Sequence, residues 1–103
     1  MPNANYQKGR RFEWAICKHY RELGYDASRT AGSHGKFDVI ATRAGGDIIL
    51  AQCKVVSDEA TERRIRKNFL ENPPYPPYSL PAGVHQVILI KVEGSSNWSQ
   101  GAV

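Results

Sequence analysis

Lys36-Phe37-Asp38-Val39-Ile40-Ala41-Thr42-Arg43-Ala44-Gly45-Gly46-Asp47-Ile48-Ile49-Leu50-Ala51-Gln52-Cys53-Lys54 is where the architecture of the chain and its chemistry meet. Ala44-Gly45-Gly46 is a turn signal between two runs rich in apolar and β-branched residues, so the stretch reads as a β-hairpin. Alternate residues of a strand share a face, which groups Gln52 with Lys54 and Asp38 with Ile40 and Thr42. A three-residue loop would pair Arg43 with Asp47 and set Asp38 opposite Gln52, with cross-strand Cβ atoms about 5 Å apart. A carboxylate, an amide oxygen and an ammonium would then converge on one spot, a group suited to a metal-and-lysine attack on a phosphodiester. The plain alternative is an exposed Asp–Lys cross-strand pair, which is worth little. Against it, these polar groups punctuate strands that are otherwise apolar, and ionisable groups in such settings are functional-site candidates.

Working outward, residues 5–23 read as an amphipathic helix, with Phe12, Ile16, Tyr20 and Leu23 at helical spacing and Gly24 as its stop. Glu13 projects beside that stripe, toward the boundary of the core. A carboxylate there needs a partner or a cation. Within the helix only Arg10 stands at ion-pairing distance in sequence, so an intrahelical pair and a metal site remain two readings of Glu13. Residues 25–30 form a short strand, and 37–43 and 47–55 form the hairpin. Ser57-Asp58-Glu59 starts a second helix, with Ser57 as its cap, running to about Asn72. Asn72–Pro81 is biased to polyproline II, and Tyr75 and Tyr78 within it serve either a rigid connector or stacking on bases or a partner chain. The run Val87-Ile88-Leu89-Ile90 within 84–92 suggests a strand buried on both faces. A single domain over residues 1–92 is expected, followed by a tail, 93–103, rich in Ser and Gly and mobile unless Trp98 docks.

Lys and Arg number 14 against 10 Asp and Glu, giving net +4 and a pI of about 9.3. The excess suits a polyanion partner, and it clusters at Lys8, Arg10 and Arg11 and again at Arg63, Arg64, Arg66 and Lys67. Acids crowd the second cluster, so a plain solvated face fits it equally well. Cys17 and Cys53 lack metal-ligand spacing and read as small buried residues. His19, His34 and His85 share no spacing that would bind zinc. No segment approaches the ~20 apolar residues of a membrane span, and Met1–Asn5 has no apolar signal core. No membrane partner is expected, and a cytoplasmic setting is, the host cytoplasm for a viral protein.

Four motifs in order resemble those of the PD-(D/E)XK nuclease superfamily and, within it, the archaeal-type Holliday junction resolvases and their viral relatives. They are Lys8-Gly9-Arg10-Arg11-Phe12-Glu13, then Arg29-Thr30-Ala31-Gly32-Ser33-His34-Gly35, then Lys36-Phe37-Asp38, and last Gln52-Cys53-Lys54. The resemblance covers about residues 6–56. It implies an α/β, restriction-endonuclease-like fold of order αβββαβ, a central mixed sheet flanked by helices. It also implies a homodimer that cuts branched, four-way DNA with Mg²⁺ or Mn²⁺. In that scheme Asp38 is the bridging ligand and Glu13 an outer or second-metal ligand. Gln52 and the main-chain carbonyl of Cys53 complete the ligand set, and Lys54 orients water or holds the scissile phosphate. Ser33 helps complete the catalytic site, and Lys8, Gly9, Arg10, Arg11, Arg29, Ser33 and Lys36 would meet DNA. The departure is Gln52, which stands where the family usually has Glu and leaves one negative charge fewer. A nuclease of this fold on other DNA, or a binding module that has lost catalysis, are the competing functions.

Overall fold

The computed structural model describes residues 4–30 and 35–103. Helix α1 spans Ala4–Glu22, and strands β1 (Asp26–Arg29), β2 (Val39–Thr42) and β3 (Ile48–Val56) follow. Helix α2 covers Glu59–Glu71, a short 3₁₀ turn covers Pro77–Ser79, and β4 (Val84–Val92) and β5 (Trp98–Ala102) complete the chain. The strands lie in sequence order in one sheet. β1, β2 and β3 are antiparallel neighbours, β3 and β4 are parallel, and β5 returns antiparallel to β4. The parallel step needs a crossover, and α2 supplies it.

Two cores follow from strand alternation. α1 buries Phe12, Ile16, Cys17 and Tyr20 against Val39, Ala41, Ile49, Ala51, Cys53, Val87 and Leu89 on one face. On the other face Phe69 of α2 meets Val56, Ile88 and Ile90. β4 therefore alternates between the two cores, which is why its whole centre is apolar. Leu23 does not extend the α1 stripe: it falls just past the last helical residue and is 55% exposed, because the chain turns away at Gly24 (φ +93°). At the start of α2, Asp58, not Ser57, is the cap, its Oδ1 accepting from the Thr61 N–H at 2.7 Å. Asp58 sits one residue before the helix, where the exposed amides of the first turn come within reach of its side chain.

Within the stretch expected as a mobile tail, Trp98–Ala102 form strand β5. Trp98 packs on Phe12 (ring centroids 5.8 Å apart) and on His19 (5.4 Å). The end of the chain pairs with β4, Val103 and Gln86 exchanging backbone hydrogen bonds. Gly101 lies beneath α2, where a Cβ would meet Arg66 Cγ at 3.1 Å and Ile88 Cγ2 at 3.3 Å. A glycine that reads as flexible in sequence is thus a close-approach residue.

Candidate active site

The hairpin register is the one a three-residue loop implies: Val39 faces Ala51 and Thr42 faces Ile48. The ladder stops there. Asp38 lies in a bend before β2, and its N–H donates to the Ala51 carbonyl at 2.8 Å rather than pairing with Gln52. The bend turns the Asp38 side chain along β3, where Oδ2 accepts from the Cys53 N–H at 2.9 Å. Asp38, Gln52 and Lys54 then line one cleft of about 600 Å³ together with Ile88 of the neighbouring strand β4, and Ile65, Asn68, Phe69, Asn72 and Pro74 complete its lining.

Three oxygens open on this cleft or beside it. One is the Oδ1 of Asp38, since Oδ2 is engaged. A second is Oε1 of Gln52: its Nε2 donates to the Lys36 carbonyl at 2.8 Å, and because a carbonyl can only accept, the amide nitrogen must face it and the oxygen must face away. The third is the Cys53 carbonyl. A strand residue sends its N–H and C=O to the same side, and the Cys53 N–H is turned to Asp38. The Cys53 thiol is pushed well up, first by burial and then by the Asp38 and Glu13 carboxylates, so it stays neutral and offers no thiolate. All the donors are therefore hard oxygens, the kind that suits a hard dication rather than zinc.

Glu13 is not brought into this cleft. It lies on α1, packed against the other face of the sheet, and its Oε1 accepts from Arg29 Nε at 2.8 Å. Its ion-pair partner comes from β1, not from Arg10 on its own helix, because α1 packs directly over β1. Arg29 also stacks over Trp14, 5.5 Å from the ring centroid, so the residue expected at a phosphate is held on Glu13. Among the described residues no three of His, Cys, Asp and Glu gather as a metal cluster. Ser33 lies outside the described residues.

The expected DNA-contacting residues separate. Lys36 stands at the rim of the cleft, Nζ donating to the Pro74 carbonyl at 3.1 Å and lying 4.4 Å from the centre of the Tyr75 ring. Lys8 pairs with Glu93 at 3.2 Å, and Arg10 and Arg11 are exposed. A Cβ at Gly9 would meet nothing within 4 Å, so no close backbone approach explains that glycine. Lys8 and Arg11 border a second cleft of about 430 Å³ on the α1 side with Phe12, Lys91 and Trp98. Sequence reasoning missed Gln86, a fully buried amide whose Oε1 accepts from Tyr75 N (2.9 Å) and whose Nε2 donates to Tyr75 O (2.8 Å). The signal for it is a lone amide in an apolar strand, which must find partners.

No helix among the described residues is long and apolar enough to cross a membrane. No curated protein matches the chain in sequence. Among solved structures, Archaeoglobus fulgidus Hjc, a Holliday junction resolvase from an archaeal hyperthermophile, superposes with TM-score 0.58 and 20% identity, covering 91% of this chain and 71% of that one. A protein of unknown function from Silicibacter pomeroyi aligns at 18% identity and TM-score 0.44, over 89% of this chain and 68% of its own. At such identities the likeness to the first is one of fold, and that to the second carries no weight. The sequence itself matches the family described as archaeal Holliday junction resolvase (Hjc) over residues 4–99, a span that holds Glu13, Asp38, Gln52 and Lys54. The chain is a member of that family of Holliday junction resolving nucleases.

Proposed function

We propose that this resolvase hydrolyses phosphodiesters at the Asp38–Gln52–Lys54 cleft with Mg²⁺, or Mn²⁺ in its place, and works as a homodimer. The observation that carries the reading is that Asp38, Gln52 and Lys54 line one open cleft, with the Cys53 backbone bound to Asp38 beside it. A dication bound there supplies charge to polarise a phosphate oxygen and to acidify water. The chain's own groups do the rest. Asp38 is fixed by the Cys53 amide, so its remaining oxygen is oriented before substrate arrives. Lys54, exposed at the cleft, holds the scissile phosphate or the attacking water and stabilises the charge that develops on the phosphorus oxygens. Glu13 has an outer role: engaged by Arg29, it adds negative potential behind Cys53 without lining the cleft.

A homodimer fits the substrate, because two-fold symmetry sets two identical sites against opposed strands of a junction. Exposed Arg10 and Arg11 and the Lys36 rim supply cations for the backbone. The test is cleavage of a labelled four-way junction with Mg²⁺, with EDTA and a linear duplex as controls, alongside sedimentation of the free protein. Metal-dependent cutting of the junction alone by a dimer is expected. Binding without cutting would make the chain a recognition module, and equal cutting of linear duplex would remove junction selectivity.

A further inference from the structure

We infer that Gln86 is a positioning residue for the cleft: through the backbone of Tyr75 and the seat of Lys36, it sets the amide of Gln52. This rests on the reading of the Asp38–Gln52–Lys54 cleft as the reaction site. Gln86 lies on β4 two residues before Ile88, which lines the cleft, and so on the same face of the sheet as Gln52 and Lys54. Its side chain is fully buried, and both ends of its amide are bound to one residue, Tyr75 N–H and Tyr75 C=O. That pair of hydrogen bonds acts as a single rung of β-ladder made by a side chain. It pins a proline-rich segment that cannot enter the sheet itself, since Pro73, Pro74, Pro76 and Pro77 carry no N–H.

From Tyr75 the interactions run to the reaction site. The Tyr75 ring lies 4.4 Å from the Lys36 ammonium, and the adjacent Pro74 carbonyl accepts from that ammonium at 3.1 Å. The Phe37 ring, almost fully buried, packs 6.1 Å from the Tyr75 ring and fixes the backbone next to Lys36. The Lys36 carbonyl in turn accepts from Gln52 Nε2 at 2.8 Å. Gln52 is thereby turned with its oxygen to the cleft. A carboxylate at position 52 has no hydrogen to donate and would set oxygen against oxygen at Lys36. The amide is the group this support requires, which gives the departure from the family's usual acid a structural reason.

Outer residues that orient metal ligands typically cost about 10–100-fold in metal affinity or activity when removed. The experiment compares the full chain with Gln86→Leu and Tyr75→Ala. Tyr75→Ala deletes an exposed ring while keeping both backbone bonds to Gln86, so it tests the step from Tyr75 to Lys36. Tyr75→Pro, which also removes the N–H that Gln86 accepts, carries the test of Gln86 if Gln86→Leu fails to fold, with the same shifts expected and a larger effect than Tyr75→Ala. Tyr78→Ala, an exposed residue of the same segment outside this chain of interactions, is the control. Two quantities are read. The first is the side-chain amide signals of Gln52 in a ¹⁵N spectrum without metal, assigned by their loss in Gln52→Ala. The second is the Mg²⁺ concentration for half-maximal junction cleavage. The Gln86 and Tyr75 variants should move the Gln52 amide signals toward free glutamine and raise the Mg²⁺ requirement by about tenfold, while Tyr78→Ala changes neither. Unchanged Gln52 signals, or an unchanged Mg²⁺ requirement, in the folded variants overturns the inference. Failure of the site reading is separate: it would appear as normal cutting by Asp38→Ala, with the Gln52 spectrum still reporting the link to Tyr75.

Discussion

The two faces of this sheet are built from the same strands and end in opposite uses. On the α1 face, Ile49, Ala51 and Cys53 are buried, and the helix covers β1, β2 and β3 with a continuous apolar layer. On the other face, α2 packs on β4, β5 and the end of β3, leaving the start of β2 and the middle of β3 uncovered. Leu50, Gln52 and Lys54 run from half-buried to exposed along that uncovered strip. The offset of one helix from the other makes the cleft. A face that needs no apolar partner is free to carry charge, and the strand backbone holds that charge in place through the Cys53 amide.

The largest effect should come from removing the polar side of this contrast. Asp38→Ala and Lys54→Ala are each expected to lose about 10²-fold or more in the rate of junction cleavage, the usual cost of a preorganised electrostatic group. Junction binding measured in EDTA should stay close to that of the parent, because neither residue holds most of the phosphates. Near-normal cutting by either variant would move the reaction away from the cleft.

The apolar side is tested by one substitution made on each face. Ile16 of α1 is wholly buried against the covered face of the sheet, whereas Ile40 on the open face is 37% exposed. Ile16→Ala should cost about 2–5 kcal/mol of unfolding free energy. Ile40→Ala should cost under about 1 kcal/mol. Urea unfolding of the two variants separates these values, and similar losses at both would mean that the open face is covered in solution.

How far the sequence can be read follows the same division. Strand alternation and the Gly-Gly turn carry the hairpin, its register and the grouping of Asp38, Gln52 and Lys54, because those depend on spacing within one local segment. Three things are not legible in this way. The partner of Glu13 lies on β1, sixteen residues away, so no helical spacing points to it. Residues 93–103 look polar and rich in Ser and Gly, yet 98–102 pair with β4, and Gly101 stands where α2 comes too close for a side chain. Gln86 stands beside His85 just before the apolar run and reads as an exposed strand end, whereas it is a buried amide whose partners the proline-rich segment supplies.

A smaller effect concerns the basic start of α1. Arg10 and Arg11 are exposed, whereas Lys8 is already engaged by Glu93 at 3.2 Å. Replacing Arg10 and Arg11 with Gln should flatten the dependence of log K on log salt by about 0.9 for each phosphate no longer neutralised. Lys8→Gln should flatten it less, since Lys8 must leave Glu93 to reach a phosphate. A salt titration of junction binding that leaves the slope unchanged in the double variant would place the DNA surface on another face.

The smallest expected effect tests how α2 is tied down beside the cleft. Glu62 on α2 accepts from Ser99 Oγ of β5 at 2.8 Å and from Arg66 Nε at 2.8 Å. The Ser99 hydrogen bond, followed by the Arg66 hydrogen bond and charge, holds the Glu62 carboxyl below its ordinary value near 4.5, against the opposing effect of desolvation. A carboxyl whose pKa is lower folded than unfolded contributes stability that is fully present above the unfolded value. That stability is lost as pH falls through the folded value. Ser99→Ala removes the largest cause of the lowered pKa. The variant should therefore be less stable than the parent at about pH 6, by under about 1 kcal/mol because the Arg66 side of the pair is partly wet. The gap should close as the pH is lowered past the carboxylate range, since the protonated Glu62 of the parent no longer gains from the bond. Thermal unfolding of both proteins across that range measures it. A gap that stays constant with pH would mean that Ser99 acts through packing of β5 alone, and that α2 is held over its half of the sheet by Phe69 and its apolar neighbours rather than by charge.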